Sequence, residues 1–351
     1  MIKNFVKISP YLLSYSIPIM TVIGISAGGY LSFLTPFIVF IILPILECFI
    51  GSGIKNLSKE EESSINQKFF FSLILFGHLI GVYYGLYIYL YKISSNDLLL
   101  IEIIGMTLSM GTLAGAVGIT VAHELFHRSN IFERWIGKLL LLVNCYMHYY
   151  IEHVWGHHKN VGTFDDPATA RFGESIYKFL PRTIINTYIS AWKIESKILQ
   201  SNGDKFFSIK NEMILFQLLT ITFIIFIFLM FGLITTILFL FVGLIGVTQL
   251  EIVNYIEHYG LTRHINKEGN YEKIAMEHSW SSNNYISRWF LFELNRHSDH
   301  HLNASRKYQI LRHIDKSPQH PAGYPAMMLL ALVPFWWRGV MDKKVLEFSK
   351  N

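Results

Sequence analysis

The sequence predicts an all-α integral membrane protein with six transmembrane helices and a helical, histidine-rich cap on the cytosolic side. Hydrophobic residues make up 52% of the 351 residues and charged residues only 16%, against about 25% charged residues in soluble domains. The mean hydropathy is +0.35. The apolar residues form long runs, and the fifteen histidines gather mainly in tight clusters outside those runs.

Six apolar segments reach or approach the length of about 20 residues that a bilayer crossing requires. They cover 11–27, 31–50, 69–91, 98–120, 213–230 and 233–250. The first follows Lys3 and Lys7, as the apolar part of a signal peptide would. Because further apolar runs follow it, we interpret it as a retained first helix. We therefore treat 1–351 as a single membrane domain.

The basic residues predict the orientation of these helices. The connections 28–30 and 231–232 carry no Lys or Arg, and the only basic residue on their side is Lys92. The positive-inside rule then places both termini and the segments 121–212 and 251–351 in the cytosol. The net charge of +5 mostly reflects this topology, so we infer no nucleic-acid partner from it.

The two cysteines exclude an internal electron carrier built on thiolates. Cys48 and Cys145 both lie in apolar runs. They form neither a disulfide framework nor a CxxC metal motif. Any iron–sulfur or zinc-ribbon protein that supplies electrons must therefore be a separate chain.

Eight histidines fall in three clusters, and a fourth element adds one more. The four motifs are HELFHR (123–128), EHVWGHH (152–158), NYIEHYGL (254–261) and NRHSDHH (295–301). Residues i and i+4 share one face of an α-helix. The pairs with this spacing are His123 and His127, His153 and His157, and His297 and His301, with His300 close to the last pair. Each cluster can therefore point two or three imidazoles at one site.

The number of clustered histidines indicates two metal ions. A tetrahedral site takes four ligands, so nine imidazoles suit two metals with four or five each. Imidazole alone does not separate iron from zinc, copper or nickel. The remaining histidines are interpreted as structural. They are His78, His148, His264, His278, His313 and His320.

These motifs closely resemble the membrane alkane 1-monooxygenase (alkane hydroxylase) family, and the stretch 311–342 resembles the C-terminal part of that family. The NYxEHYGL element is the most specific, because related desaturases generally lack it. The second cluster reads H-x3-H-H, whereas desaturases usually show H-x2-H-H. Two positions depart from the family pattern, since Arg128 replaces a usual Lys and Asn295 a usual Gln. Both flank the histidines.

The resemblance implies O2-dependent hydroxylation of alkanes to primary alcohols by a multi-pass protein of the bacterial inner membrane. It implies electrons from a rubredoxin, which a rubredoxin reductase reduces in turn. It also implies two iron ions and no catalytic side chain beyond the metal ligands. The implied ligands are His123, His127, His153, His157, His158, His258, His297, His300 and His301.

Carboxylates beside these histidines are predicted to accept hydrogen bonds from the imidazole rings. They are Glu124, Glu152, Glu257 and Asp299, with Glu251 and the pair Asp165 and Asp166 as further candidates. Basic residues near the clusters are predicted to attract an acidic rubredoxin. They are Arg128, Lys159, Arg296 and Arg312.

Three alternatives remain open at this point. A related membrane di-iron hydroxylase or desaturase would act on fatty-acyl or methyl-aromatic substrates. A membrane zinc protease would use HELFH as an HExxH motif, with Glu124 as general base, but it would leave most clustered histidines unused. A metal transporter needs polar groups within its spans, and the ionisable ones there are few, namely Glu47, His78 and Glu102.

Overall fold

The fold is helical, as the sequence predicts. The computed structural model describes residues 7–67, 69–95 and 97–349, so the predicted N-terminal Lys3 lies outside the described residues. Within those ranges, β-structure is limited to three isolated bridges. In chain order the main helices are α1 (Ser9–Ala27), α2 (Gly29–Ile50), α3 (Lys59–Asn66), α4 (Phe69–Ser95), α5 (Leu100–Phe126), α6 (Ile131–Leu142), α7 (149–160), α8 (Ile176–Ser201), α9 (Glu212–His258), α10 (Tyr285–Phe290), α11 (His297–Leu302), α12 (Tyr324–Ala331) and α13 (Pro334–Phe348).

Five helices of the described residues, α1, α2, α4, α5 and α9, are long and apolar enough to cross a membrane. Helix α9 has 47 residues but is broken at Gly232, whose φ of 83° is non-helical and suits a residue without a Cβ atom. The rings of Phe223 and Phe239 lie only 5.6 Å apart, although a straight helix would separate them by about 24 Å. The chain therefore folds back at Gly232, and both segments predicted there are helical. The count of six crossings stays a prediction.

Two membrane helices run further than hydropathy predicts, and both extensions carry histidines. Helix α5 continues from the predicted end at residue 120 to Phe126, so His123 belongs to it. Helix α9 continues to His258. A stripe of polar residues at helical spacing runs along this end of α9. Its members Glu251, Tyr255 and His258 are each no more than 1% exposed, and Thr248 is partly buried. These histidines therefore extend from rigid membrane helices.

Two further apolar stretches, 139–151 and 325–337, are too short to cross a membrane, and both pack against the bundle. Residues 139–151 form the end of α6 and the start of α7, and Leu140 and Leu141 are completely buried. Helices α12 and α13 close the cap. Trp337 is completely buried there, while its neighbour Trp336 is 61% exposed, as suits a residue at a membrane interface.

Candidate metal centre

The nine clustered histidines lie together in two groups. Group A contains His123, His127, His153, His158 and His300, and group B contains His157, His258, His297 and His301. In each group, one ring nitrogen from every residue lies within 4.8 Å of the others. Group A draws on α5, α7 and α11, and group B draws on α7, α9 and α11. Each group could hold a metal ion.

The spacing of the ring nitrogens fits metal coordination. In group A, the Nε2 atom of His153 lies 3.1 Å from Nε2 of His127 and 3.1 Å from Nε2 of His158. In group B, Nε2 of His297 lies 2.9 Å from Nε2 of His301. Two nitrogens bound at about 2.1 Å to one metal, at right angles to each other, would be about 3.0 Å apart. A hydrogen bond needs one donor and one acceptor, so three converging Nε2 atoms cannot all be paired in that way.

A π-helical turn decides how the second cluster is divided. Residues Glu152–His157 form a π-helix, in which the bonding runs from i to i+5 instead of i to i+4. His153 therefore points the same way as His158, and both join group A. His157 turns away and joins group B. The pairing predicted from the sequence holds for His123 with His127 and for His297 with His301, but it is wrong for His153 with His157. His300, predicted to lie beside the last pair, joins group A instead.

Burial favours the neutral form of five of these imidazoles, which leaves a lone pair available on each ring. Burial lowers the pKa of His153 and His300 well below its usual value, and neighbouring histidines lower it further. The same causes act on His297 and His301 in group B. Burial, followed by the charges of His157 and Arg128, lowers the pKa of His127 to about 3. A neutral imidazole is the form that binds metals.

Other side chains contact the Nδ1 atoms of individual rings and fix the orientation of those rings. The Nδ1 atom of His157 lies 3.0 Å from a carboxylate oxygen of Asp166, while its Nε2 atom is buried without a hydrogen-bond partner and faces group B. Burial acts to raise the pKa of Asp166, but the nearby His157 outweighs it and the pKa is lowered. The Nδ1 atom of His153 lies 3.1 Å from the hydroxyl of Tyr149. Because a carboxylate only accepts hydrogen bonds, Asp166 selects the tautomer of His157 that leaves Nε2 free.

Of the four carboxylates predicted first, Glu257 is the one that the structure brings to a clustered histidine. One of its oxygens lies 3.2 Å from Nε2 of His297, and the other accepts a hydrogen bond of 2.9 Å from Tyr324. The other three predicted carboxylates make their contacts elsewhere. Glu124 pairs with Arg128 at 2.6 Å, Asp299 pairs with Arg312 at 2.8 Å, and Glu152 accepts a bond of 3.3 Å from Ser190.

Sequence reasoning missed two tyrosines and ranked Asp166 too low. Tyr149 precedes His153 by four residues in a helix, so spacing could have identified it. Tyr324 lies 67 residues from Glu257, and no local pattern predicts that contact. Asp166 lies in a turn nine residues after His157.

An apolar cavity reaches the histidines from within the bundle. Its lining includes His123 and His153 of group A, and His297 and Glu257 beside group B. Most of the rest is apolar and comes from α2, α5, α9 and α12. A second cavity shares Phe40, Gln249 and Met328 with the first and is lined further by Leu244, Ile245, Thr248, Ile252, Leu329 and Leu332. The two cavities are therefore adjacent, with the shared residues between them.

The two groups differ in their access to solvent. All four histidines of group B are buried, whereas His127 and His158 of group A are partly exposed. Exposed Lys159 follows His158 directly. Two of the basic residues predicted to attract a partner are unsuited to that role, because Arg128 is only 5% and Arg296 only 4% exposed.

The comparisons with known proteins agree with this geometry. Residues 99–337 match the family model of fatty acid desaturases, so fold and histidine groups define a helical membrane protein of the desaturase class. Alkane 1-monooxygenase 2 of Alcanivorax borkumensis is 37% identical over 342 residues, which cover 95% of this chain and 88% of that protein. The chain therefore belongs to the alkane 1-monooxygenase family.

Two further relatives show how the similarity is distributed. Alkane 1-monooxygenase 1 of Pseudomonas aeruginosa is 46% identical over 245 residues, which cover 70% of this chain but only 64% of that protein. The hydroxylase component of a xylene/toluene monooxygenase from Pseudomonas putida is 25% identical over 258 residues, which cover 72% of this chain and 67% of that protein. The chain is thus more similar to alkane 1-monooxygenases than to this methyl-aromatic enzyme.

Proposed function

We propose that this protein is an alkane 1-monooxygenase that uses O2 to hydroxylate the terminal methyl group of alkanes to a primary alcohol. The observation that carries the proposal is the apolar cavity that ends at the two histidine groups. A hydrocarbon needs an apolar path and forms no hydrogen bonds, so a cavity of this kind suits it. Relatives named alkane 1-monooxygenase support the same substrate class.

The nine histidines are proposed to hold two iron ions. The five histidines of group A would bind one ion, and the four histidines of group B would bind the other. The donor set fits metal binding, since burial favours the neutral form of several rings. Ring nitrogens converge to about 3 Å from one another, and in His157 a buried nitrogen is unpaired. When bound, iron supplies the redox chemistry that O2 activation requires. Imidazole also binds zinc and copper, so metal analysis must establish the element.

The protein contributes position and a dry environment. The apolar lining comes from α2, α5, α9 and α12. It would hold the alkane so that one terminal methyl group points at His123, His153 and His297. Holding the reacting group in place removes much of the entropic cost of the reaction. Excluding water limits side reactions at the metals. Glu257 and Tyr324 border this end of the cavity, where their hydrogen bond fixes the carboxylate beside His297.

The same proposal includes an electron donor and a location in the cell. We propose a rubredoxin as electron donor, reduced by its own reductase, and a multi-pass location in a bacterial inner membrane with both termini and the histidine groups on the cytosolic side. Exposed Lys159 beside the partly exposed His158 supports approach of an acidic donor to group A. Because this approach depends on attraction between opposite charges, electron transfer should slow as ionic strength rises.

Metal analysis of the purified protein, together with a His258→Ala variant, tests the proposal. We expect about two irons per chain in the wild type, a loss from group B in the variant, and formation of octanol from octane with rubredoxin and its reductase. One zinc per chain that the substitution leaves unchanged would refute the proposal and favour the HExxH protease. In the structure, however, Glu124 of that motif is paired with buried Arg128.

The second candidate is a related hydroxylase or desaturase that acts on methyl-aromatic or fatty-acyl substrates. The observation in its favour is the similarity to the xylene/toluene enzyme. Competition between octane, xylene and a fatty-acyl substrate in one assay separates the candidates. We expect octane to be consumed first.

A further inference from the structure

A polar pocket separate from the histidine groups lies where three membrane helices end. Lys7 directly precedes α1, Lys55 follows the end of α2, and Phe71 lies in the first turn of α4, and all three line the pocket. Trp289 of α10 lies at the same place. Tryptophan is enriched at the level of lipid headgroups. The pocket therefore lies at the boundary between the hydrocarbon core and water.

The pocket carries an excess of positive charge. Four basic side chains line it, namely Lys7, Lys55, Arg288 and Arg296, whereas Glu293 is the only carboxylate that does so among the described residues. One nearby acid outside the lining, Glu61, pairs with Lys7 at 2.9 Å. Four cations against two carboxylates leave two positive charges uncompensated. Lys55 is exposed and forms no ion pair with any described residue.

The buried part of the pocket holds a donor without an acceptor. Glu293 is only 3% exposed, and it is occupied by Arg288 at 2.7 Å and by Tyr11 at 2.9 Å. Arg296 is only 4% exposed. Its Nε atom forms no hydrogen bond, although Glu293 lies 3.3 Å away. Two guanidinium groups and one hydroxyl therefore share the carboxylate of Glu293, so this acid does not neutralise both buried cations.

Apolar side chains beside the pocket indicate that the anion belongs to an amphiphile. Leu12 and Leu13 of α1 are 40% and 47% exposed, and Phe49 at the end of α2 is 82% exposed. Because these positions lie at the same ends of the membrane helices as the pocket, they face lipid chains. A free phosphate would use the basic residues but not this surface. A phospholipid would use both.

We propose that the pocket binds the phosphate group of an anionic phospholipid, with its acyl chains along α1 and α2. The phosphate oxygens meet Lys7, Lys55 and Arg296, and the net negative charge of the headgroup offsets the excess positive charge of the pocket. Basic pockets between membrane helices are known to hold anionic headgroups. This site is independent of the proposed alkane hydroxylation.

The test compares lipid retention in a Lys7→Ala/Lys55→Ala double variant with retention in the wild-type protein. Both full-length proteins are placed in nanodiscs containing equal amounts of phosphatidylglycerol and phosphatidylcholine, and the lipids that stay bound are counted by native mass spectrometry. Each basic residue near a membrane surface changes anion binding about fivefold. The double variant should therefore lose about 30-fold in its preference for phosphatidylglycerol.

A matched double variant, Lys267→Ala/Lys273→Ala, removes two exposed lysines from a surface loop and should keep the wild-type preference. Circular dichroism checks that both variants remain helical. Unchanged preference in the Lys7/Lys55 variant would overturn the proposal. Displacement of phosphatidylglycerol by an equal concentration of inorganic phosphate would also overturn it, because the acyl chains would then add nothing to binding.

Discussion

Replacing Asp166 with Asn tests whether the group behind His157 controls metal binding at group B. The side chain of Asp166 is fully buried. One carboxylate oxygen, Oδ2, lies 3.0 Å from Nδ1 of His157 and accepts a 2.6 Å bond from Thr169, while Oδ1 accepts a 3.0 Å bond from the Ala168 amide. All three neighbours need an acceptor, so the NH2 group of Asn must face at least one donor.

The size of the effect follows from this arrangement. The nearly isosteric Asn leaves packing intact but removes the negative charge and one acceptor. Loss of such a partner behind a metal-binding histidine typically costs about 10- to 100-fold in metal affinity, or about 1.4 to 2.7 kcal/mol. We expect that loss at group B, because His157 belongs to it, and only a small change at group A.

Titration with iron against a competing chelator measures this difference directly. The adjacent Asp165→Asn variant is the control, because Asp165 is exposed and its side chain makes no contact with a clustered histidine. Asp165→Asn should bind iron as the wild type does. If Asp166→Asn binds both metals as tightly as that control, the idea that Asp166 fixes the ring of His157 is refuted.

Three further predictions concern the cavity, the packing and the pH response. Met328 lines both cavities, so Met328→Ala removes bulk between them and should shift product formation in a mixed-alkane assay toward bulkier substrates. Leu329→Ala, which changes only the second cavity, should not. Gly115→Ala places a methyl group 2.9 Å from the backbone of α9. We expect it to reduce the free energy of unfolding by about 1 to 3 kcal/mol and so to lower the melting temperature. In the control Gly339→Ala the new methyl group meets no atom within 4 Å, so the melting temperature should not change. Burial lowers the pKa of His320 to about 3, below the value of about 6.5 in the unfolded chain. Below pH 6.5 the unfolded chain therefore binds a proton that the folded protein does not. Acid then lowers the free energy of unfolding by up to about 1.4 kcal/mol per pH unit. His320→Gln should flatten the fall in melting temperature between pH 6.5 and 5.5, and an unchanged slope would contradict this assignment.

The membrane helices were predictable because apolar runs report burial in lipid directly. Their ends were less predictable, since hydropathy marks where apolar residues stop and not where a helix stops. Helix α5 continues into HELFHR because His123 and Glu124 are buried by the cap and do not need water. The turn at Gly232 falls inside the predicted connection 231–232, although the sequence is apolar on both sides of it.

The membership of the histidine set was predictable from clustering, but its division was not. Local spacing assumes an α-helix, and this assumption holds for His123 and His127. It fails for His153 and His157, because the backbone between them is π-helical. Contacts such as Tyr324 with Glu257 depend on tertiary packing across 67 residues, and a single sequence contains no local signal for them.

Metal binding should hold the cap to the membrane bundle, because neither group is built from one segment. Group A joins α5 to α7 and α11, and group B joins α7 and α11 to α9. Binding energy at such sites contributes to folding. Removing the metals should therefore speed hydrogen–deuterium exchange in α7 and α11. The α9 hairpin around Gly232, which carries no clustered histidine, is the internal control and should exchange at the same rate. Equal protection of α11 with and without metal would show that the cap folds independently of the metals, contrary to this argument.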